Sequence, residues 1–215
     1  MRALIFDLDG VIVDTAEFHY LAWKMVGEEF GFSLTREQNE RLKGISRRDS
    51  LIKILGWANT SVVPTHFERI MFEKNEYYLS LVDQITPRDA LPGVREFIHN
   101  ARLAGYLTAI GSASRNAHII LLKLKMTDAF EIILDGNSVK TAKPDPEVFT
   151  RAADQLGVRY DQCVVFEDSE AGIVAAKSVG MITVGIGTSY HLSGADWIFP
   201  DFQNISIEFI NQLRK

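Results

Sequence analysis

Short, unbroken apolar runs recur along this chain, and several end abruptly in acidic or small polar residues. They are Ala3-Leu4-Ile5-Phe6, Leu107-Thr108-Ala109-Ile110, Glu131-Ile132-Ile133-Leu134, Cys163-Val164-Val165-Phe166 and Ile182-Thr183-Val184-Gly185, with Trp197-Ile198-Phe199 as a further candidate. A strand that is apolar at consecutive positions has no wet face and must be covered on both sides, as strands of parallel sheets are. The stretches between the runs read as helices over 92–105, 116–126, 146–157 and 169–180; Pro92 sits just inside the first and Gly105 just past its end. Strand and helix in alternation predict a doubly wound parallel-sheet α/β core of Rossmann-like type.

One region breaks the alternation. From residue 16 to about 80 the periodicity is helical throughout. Phe18, Leu21, Ala22, Met25, Val26 and Phe30 form one stripe closed by Gly31, and further helices are expected over 36–42, 47–55 and 65–80. The block reads as an all-helical cap domain, residues 16–85, inserted into a core made of 1–15 and 86–215, with hinges near 13–15 and 85–91. The chain's 215 residues are enough for such a pair.

Composition excludes several function classes. A net charge of −5 without a basic stripe argues against nucleic acid. No apolar run is long enough to span a bilayer, and the four apolar residues before Asp7 are too few for a signal-peptide core, so a cytoplasmic protein without membrane partners is expected. Cys163, within its apolar run, is expected to be a buried, inert thiol.

The chemical signals sit at the ends of the runs. Asp7 and Asp9 follow the first, at the strand end where open parallel sheets bind ligands. One such carboxylate can attack phosphorus and hold a metal while the other handles a proton, although Asp and Gly10 also suit a plain turn. Glu167 and Asp168 follow Phe166; four carboxylates meeting from two strand ends would call for a hard cation such as Mg²⁺, and the bland reading of Asp168 is a helix cap. Gly111-Ser112-Ala113-Ser114 before a helix offers free N–H groups and hydroxyls to a phosphate, or a simple cap at Ser114. Lys143, fixed by Pro144, can face a phosphoryl oxygen or merely solvent. All four signals fall at one sheet edge if the strands are parallel.

In this order and spacing they resemble the haloacid-dehalogenase-like superfamily: Phe6-Asp7-Leu8-Asp9-Gly10, then Ser112, then Lys143-Pro144, then Glu167-Asp168. Within it the chain looks most like the β-phosphoglucomutase family, through Asp14-Thr15-Ala16-Glu17-Phe18-His19, Ala22-Trp23, Asn39 to Arg47, Lys74-Asn75, Gly111 to Asn116 and Glu167 to Ile173. The resemblance implies Mg²⁺ as cofactor, held by Asp7, Asp9, Asp168 and Glu167, the last directly or through water. It implies Asp7 as phosphoryl acceptor and Asp9 as general acid/base, with Thr15, His19, Ser112 and Lys143 as further catalytic residues. Trp23, Lys43, Gly44, Ser46, Arg47, Lys74, Ala113, Ser114, Arg115 and Asn116 would bind substrate, Arg47 gripping the phosphate that does not react. Thr15, His19 and Trp23 fall four apart, on one helical stripe.

The implied partners are small molecules, a sugar phosphate and a sugar bisphosphate, handled by a monomer. Arg48 stands where the family often has an acid. The nearest rival is a sugar-phosphate or phosphoglycolate-type phosphatase on the same core; a binding protein on a silent scaffold is more remote, because Asp7, Asp9, Lys143 and Asp168 are all present.

Overall fold

The computed structural model describes residues 2–188 and 190–213, so Met1, Ser189, Arg214 and Lys215 of the expected core lie outside the described residues. Six strands form one parallel sheet: β1 (Ala3–Phe6), β2 (Leu107–Gly111), β3 (Ile132–Leu134), β4 (Cys163–Glu167), β5 (Ile182–Ile186) and β6 (Trp197–Phe199), in the order β3-β2-β1-β4-β5-β6. The chain winds outward from β1 through β2 and β3, then returns to the other side of β1 with β4. The reversal opens a crevice at the carboxyl end of β1, between β2 and β4.

The unbroken apolar runs are buried on both faces, as their pattern requires. Leu4 and Phe6 face one core with Ile110, Val164, Phe166 and Val184; Ala3 and Ile5 face the other with Ala109, Cys163 and Val165. Phe6 stacks on Phe166 at 4.7 Å between centroids, and Phe97 and Phe202 close the cluster. Register aligns Phe6 with Ile110 on one side and Phe166 on the other, so the residues that follow each strand emerge together. The faces are covered by α5 (Val94–Leu103), α6 (Ala117–Leu124), α7 (Glu147–Leu156), α8 (Glu170–Ser178) and α9 (Ile207–Gln212).

Between β1 and α5 lie four further helices: α1 (Ala16–Glu29), α2 (Arg36–Glu40), α3 (Arg47–Trp57) and α4 (Pro64–Val82). Their own cluster is built on Trp23, Val26, Leu34, Leu51, Ile54 and Ile70. Ala22, Tyr78 and Val82 instead join the core beneath the sheet, so the cap's apolar surface is shared with the rest of the chain. The two connecting segments run side by side: Val13 pairs with Ala90, and the Leu91 N–H donates to Ile12 O at 2.8 Å.

Some local expectations shift. In α1 Ala22 and Val26 of the expected stripe are buried, as is Trp23 of the stripe through Thr15 and His19, while Met25 is 38% exposed, because the buried face lies between the two stripes. Helix α2 stops at Glu40, since the chain must turn through Gly44 at φ +75° before Ser46 caps α3. Pro92 lies outside α5, which Gly93 caps at φ +79° with the backbone of Gln203 against it. Cys163 is fully buried, and burial pushes its thiol up to about 12. Among the described residues no helix is long and apolar enough to cross a membrane.

Leu51, fully buried in the cap cluster, tests how firmly the cap is packed. Leu51→Ala should lower stability by about 2–5 kcal/mol in urea denaturation; a loss below about 1 kcal/mol would mean that this cluster is loosely packed.

Candidate active site

The strand ends converge on a buried ammonium. Lys143 Nζ donates to Asp7 Oδ1 at 2.5 Å and to Glu167 Oε1 at 2.6 Å, and it lies 4.7 Å from the centre of the Phe149 ring. Burial alone would lower the pKa of this ammonium, but Asp7 and Glu167 more than offset that and raise it. The loop carrying Lys143 is fastened at both ends. Asp135 accepts from the backbone of Asn137 and Ser138, and Glu147 accepts from the N–H groups of Lys140 and Thr141.

Glu167, expected beside the metal, has both oxygens engaged within the protein. Oε1 takes Lys143, and Oε2 takes the N–H and hydroxyl of Ser169, each at 2.8 Å. A Cβ on Gly172 would stand 1.8 Å from Oε1, so the glycine makes room for this carboxylate. Asp168 lies against the first loop: a Cβ on Gly10, at φ +79°, would strike its Oδ2 at 2.1 Å. Burial raises the Asp7 carboxyl well above the usual range, opposed by Lys143 and assisted by Glu167. Burial likewise lifts Asp168 to about 7, against the pull of Lys43. Asp9 is raised too, chiefly by burial. Among the described residues, the four carboxylates of Asp7, Asp9, Glu167 and Asp168 face three close cations, Lys143, Lys43 and, beside Asp9, Lys74; the remaining negative charge suits a divalent ion with oxygen ligands. Among the described residues no three acidic, histidine or cysteine side chains make a ready ligand cluster, so such an ion would need backbone or substrate oxygens as well.

On the β2 side, Ser112 is 1% exposed and its hydroxyl accepts from Ser114 N–H at 3.1 Å. The Ser114 hydroxyl accepts from Asn116 N–H, and Asn116 Nδ2 donates across to Asn75 Oδ1 on α4 at 3.0 Å. Ala113 lies over Gly136, where a Cβ would meet its carbonyl oxygen at 2.4 Å.

At the entry to α1 the Thr15 hydroxyl donates to Asp9 Oδ1, and His19 Nε2, from α1 itself, lies 3.9 Å from the same oxygen. Lys74 Nζ is 3.2 Å from His19 Nδ1 and lies over the rings of Trp23 and Tyr78 at 4.6 and 4.7 Å. Burial, with Lys74 and Arg47 nearby, holds His19 well below its ordinary pKa, which keeps the ring neutral. Burial and Arg47 bring Lys74 down to about 7. Arg47 faces Arg115, and neither guanidinium has a carboxylate partner among the described residues; Lys74 feels Arg47 on one side and Asp9 on the other.

The remaining cap candidates divide. Lys43 pairs with Asp168 at 3.0 Å and with Glu40 at 3.0 Å, so its ammonium points at the acidic edge. Gly44 lets the cap touch the core, since a Cβ there would stand 2.4 Å from Ser169 Oγ. The Ser46 hydroxyl caps α3, donating to the Asp49 carboxylate and accepting from Asp49 N–H. Arg48 turns to α4, where it pairs with Glu68 at 3.3 Å over the Phe67 ring. These walls enclose a cavity of about 440 Å³ that reaches from Asp7, Asp9 and Lys143 to Arg47 and Arg115, within the range of small-molecule sites. Tyr78 escaped sequence reading: its ring packs on His19 at 4.3 Å beside Asp9 and Thr15, and the signal was its position one helical turn after Lys74.

Comparison with known proteins places these features in context. Residues 4–186 match the family model for haloacid dehalogenase-like hydrolases. A β-phosphoglucomutase of Bacillus subtilis is 41% identical over 99% of this chain and 95% of its own length. A phosphorylated carbohydrates phosphatase of Thermotoga maritima is 32% identical over 84% of this chain and 82% of its own. Among solved structures, a β-phosphoglucomutase from Clostridium difficile superposes with a TM-score of 0.94 at 38% identity, over 98% of this chain and 96% of that one.

Lys74 gives the cleft a pH-dependent charge: present below about 7 and lost above it. Sulfate, a dianion throughout this range, should bind more weakly by calorimetry as pH rises through about 7, whereas Lys74→Gln should bind it weakly at every pH. An unchanged pH profile in the variant would show that Lys74 is not the titrating cation.

Proposed function

Because the chain belongs to the haloacid dehalogenase-like hydrolase family, we propose that it is a magnesium-dependent mutase that interconverts β-D-glucose 1-phosphate and glucose 6-phosphate through phosphorylated Asp7 and a 1,6-bisphosphate. The observation that carries this reading is one cavity lined by two separate cationic groups, Lys143 beside Asp7, and Arg47 with Arg115, whose guanidinium groups have no carboxylate partner among the described residues. A monophosphate hydrolase needs one phosphate position. A mutase must hold two at once and exchange them.

In the transfer, the sugar hydroxyl oxygen bonds to phosphorus as the bond from phosphorus to the Asp7 carboxylate breaks, and Asp9 takes the hydroxyl proton. The bisphosphate then turns around; its other phosphoryl passes to Asp7 while Asp9 returns the proton to the oxygen released. The Thr15 hydroxyl holds Asp9 in place, and the neutral imidazole of His19 stands 3.9 Å away without competing for the proton. Lys143 and Ser112 neutralise the oxygens of the moving phosphoryl. Arg47 and Arg115 grip the other phosphate, for which the guanidinium fork is suited. The cap excludes water, which would otherwise hydrolyse the aspartyl phosphate. Asp7, Asp168 and the Asp9 carbonyl would hold Mg²⁺, with Glu167 acting through Lys143 and Ser169. The ion supplies further charge neutralisation at the phosphoryl oxygens.

The rival reading, a sugar-phosphate phosphatase, is favoured by the likeness to the Thermotoga maritima phosphatase. A coupled assay decides. Primed with glucose 1,6-bisphosphate, the protein should form glucose 6-phosphate from β- but not α-glucose 1-phosphate, and Arg47→Ala should lose on the order of 100-fold or more of this turnover while keeping most hydrolysis of p-nitrophenyl phosphate. Release of inorganic phosphate without glucose 6-phosphate would establish the phosphatase instead. Independently of activity, Mg²⁺ should raise the melting temperature of the wild type and not that of Asp168→Asn; an equal rise in both would remove Asp168 from the ion's ligands.

A further inference from the structure

Helix α2 is short and densely polar, and its side chains are almost all engaged. Arg36 pairs with Glu17 at 2.6 Å, Glu37 with Arg41 at 2.6 Å, Gln38 accepts from Thr35 N–H at 2.9 Å, and Glu40 pairs with Lys43 at 3.0 Å. Asn39 is the exception. It is 6% exposed and lines the cleft, yet its carboxamide makes no side-chain hydrogen bond, and the amide oxygen is buried with no partner. Its backbone is fully used, the N–H donating to Thr35 O and the carbonyl accepting from Leu42 N–H, so the residue is held firmly where it stands. A buried amide left unsatisfied costs stability in the empty protein, and that cost is recovered when a ligand supplies the missing partner.

The position fits a neutral group of the substrate. Asn39 lines the cavity together with Trp23, Leu42 and Met71, which supply apolar surface, and Lys43 nearby is taken up by Glu40 and Asp168. An amide can donate and accept at once, as a ring hydroxyl can, and it has no charge with which to compete for phosphate. We propose that Asn39 forms a hydroxyl-reading subsite that recognises one ring hydroxyl of the hexose and so helps to set which sugar phosphate is accepted. This deepens the sugar-phosphate reading above and rests on it.

The test is a cycle between residue and substrate. Wild type and Asn39→Ala are compared on β-glucose 1-phosphate and on its 2-, 3- and 4-deoxy analogues. With wild type, one analogue should lose about 10- to 100-fold in kcat/KM. Asn39→Ala should lose a similar factor on the parent sugar and little more on that analogue, while the other two deletions stay additive with the mutation. If Asn39→Ala does not fold, Asn39→Asp keeps the shape without the donor and is read in the same cycle. Additive losses at all three positions would overturn the subsite and leave Asn39 a structural residue. Failure of the wild type to act on any hexose phosphate would instead remove the underlying sugar-phosphate reading, a result that the cycle separates from additivity.

Discussion

Lys143 places one buried ammonium between the carboxyl groups of Asp7 and Glu167, at the point where the sheet reverses its winding. None of the three groups is tolerable there alone, because an isolated buried charge is expelled or neutralised. Together they fix the ends of β1 and β4 relative to the loop that follows β3. Much of the neighbouring sequence serves that contact. Gly172 leaves space for Glu167, Ser169 binds its second oxygen, Gly10 admits Asp168, and the Phe6–Phe166 stack holds the two strands in register just below. The acids outnumber the cations around this edge, which gives the site its capacity for a further positive charge.

The cap meets this edge at a few polar points rather than through a broad apolar seam. Lys43 reaches Asp168, Gly44 lies on Ser169, Asn75 accepts from Asn116, and Thr15 and His19 both address Asp9. Contacts of this kind are polar and partly exposed, so water can replace them at lower cost than it could replace a buried apolar seam. The apolar support sits beneath, where Tyr78 and Val82 of α4 join the core on which the sheet rests. Lys74, wedged between Trp23, Tyr78 and His19, links the distal end of the cavity to the residues around Asp9.

The core was legible in the sequence because its cause is local. Consecutive apolar residues such as Cys163 to Phe166 can exist as a strand only if both faces are covered, and the helices between them are punctuated by Gly157 and Gly180 in left-handed turns. The acids after β1 and β4 and the small residues after β2 were visible for the same reason: their place at strand ends follows from the pattern. Less legible was the face each cap helix turns inward. On α1 the stripe through Met25 and the stripe through Trp23 are both plausible, and burial of Trp23 depends on Lys74 and α4 lying against it.

By itself the sequence determined the parallel sheet, the inserted helical block and the chemical character of the strand ends, since these follow from periodicity and from residues adjacent in the chain. The tertiary structure alone decided which oxygen each charge serves. It turned Glu167 to Lys143 and Ser169, Lys43 to Asp168, Arg48 to Glu68 and Ser46 to the end of its own helix, and among the described residues it left the guanidinium groups of Arg47 and Arg115 without a carboxylate and the amide oxygen of Asn39 without a donor. Those choices depend on distances of a few ångströms between residues far apart in the chain, and a one-dimensional pattern does not hold that information.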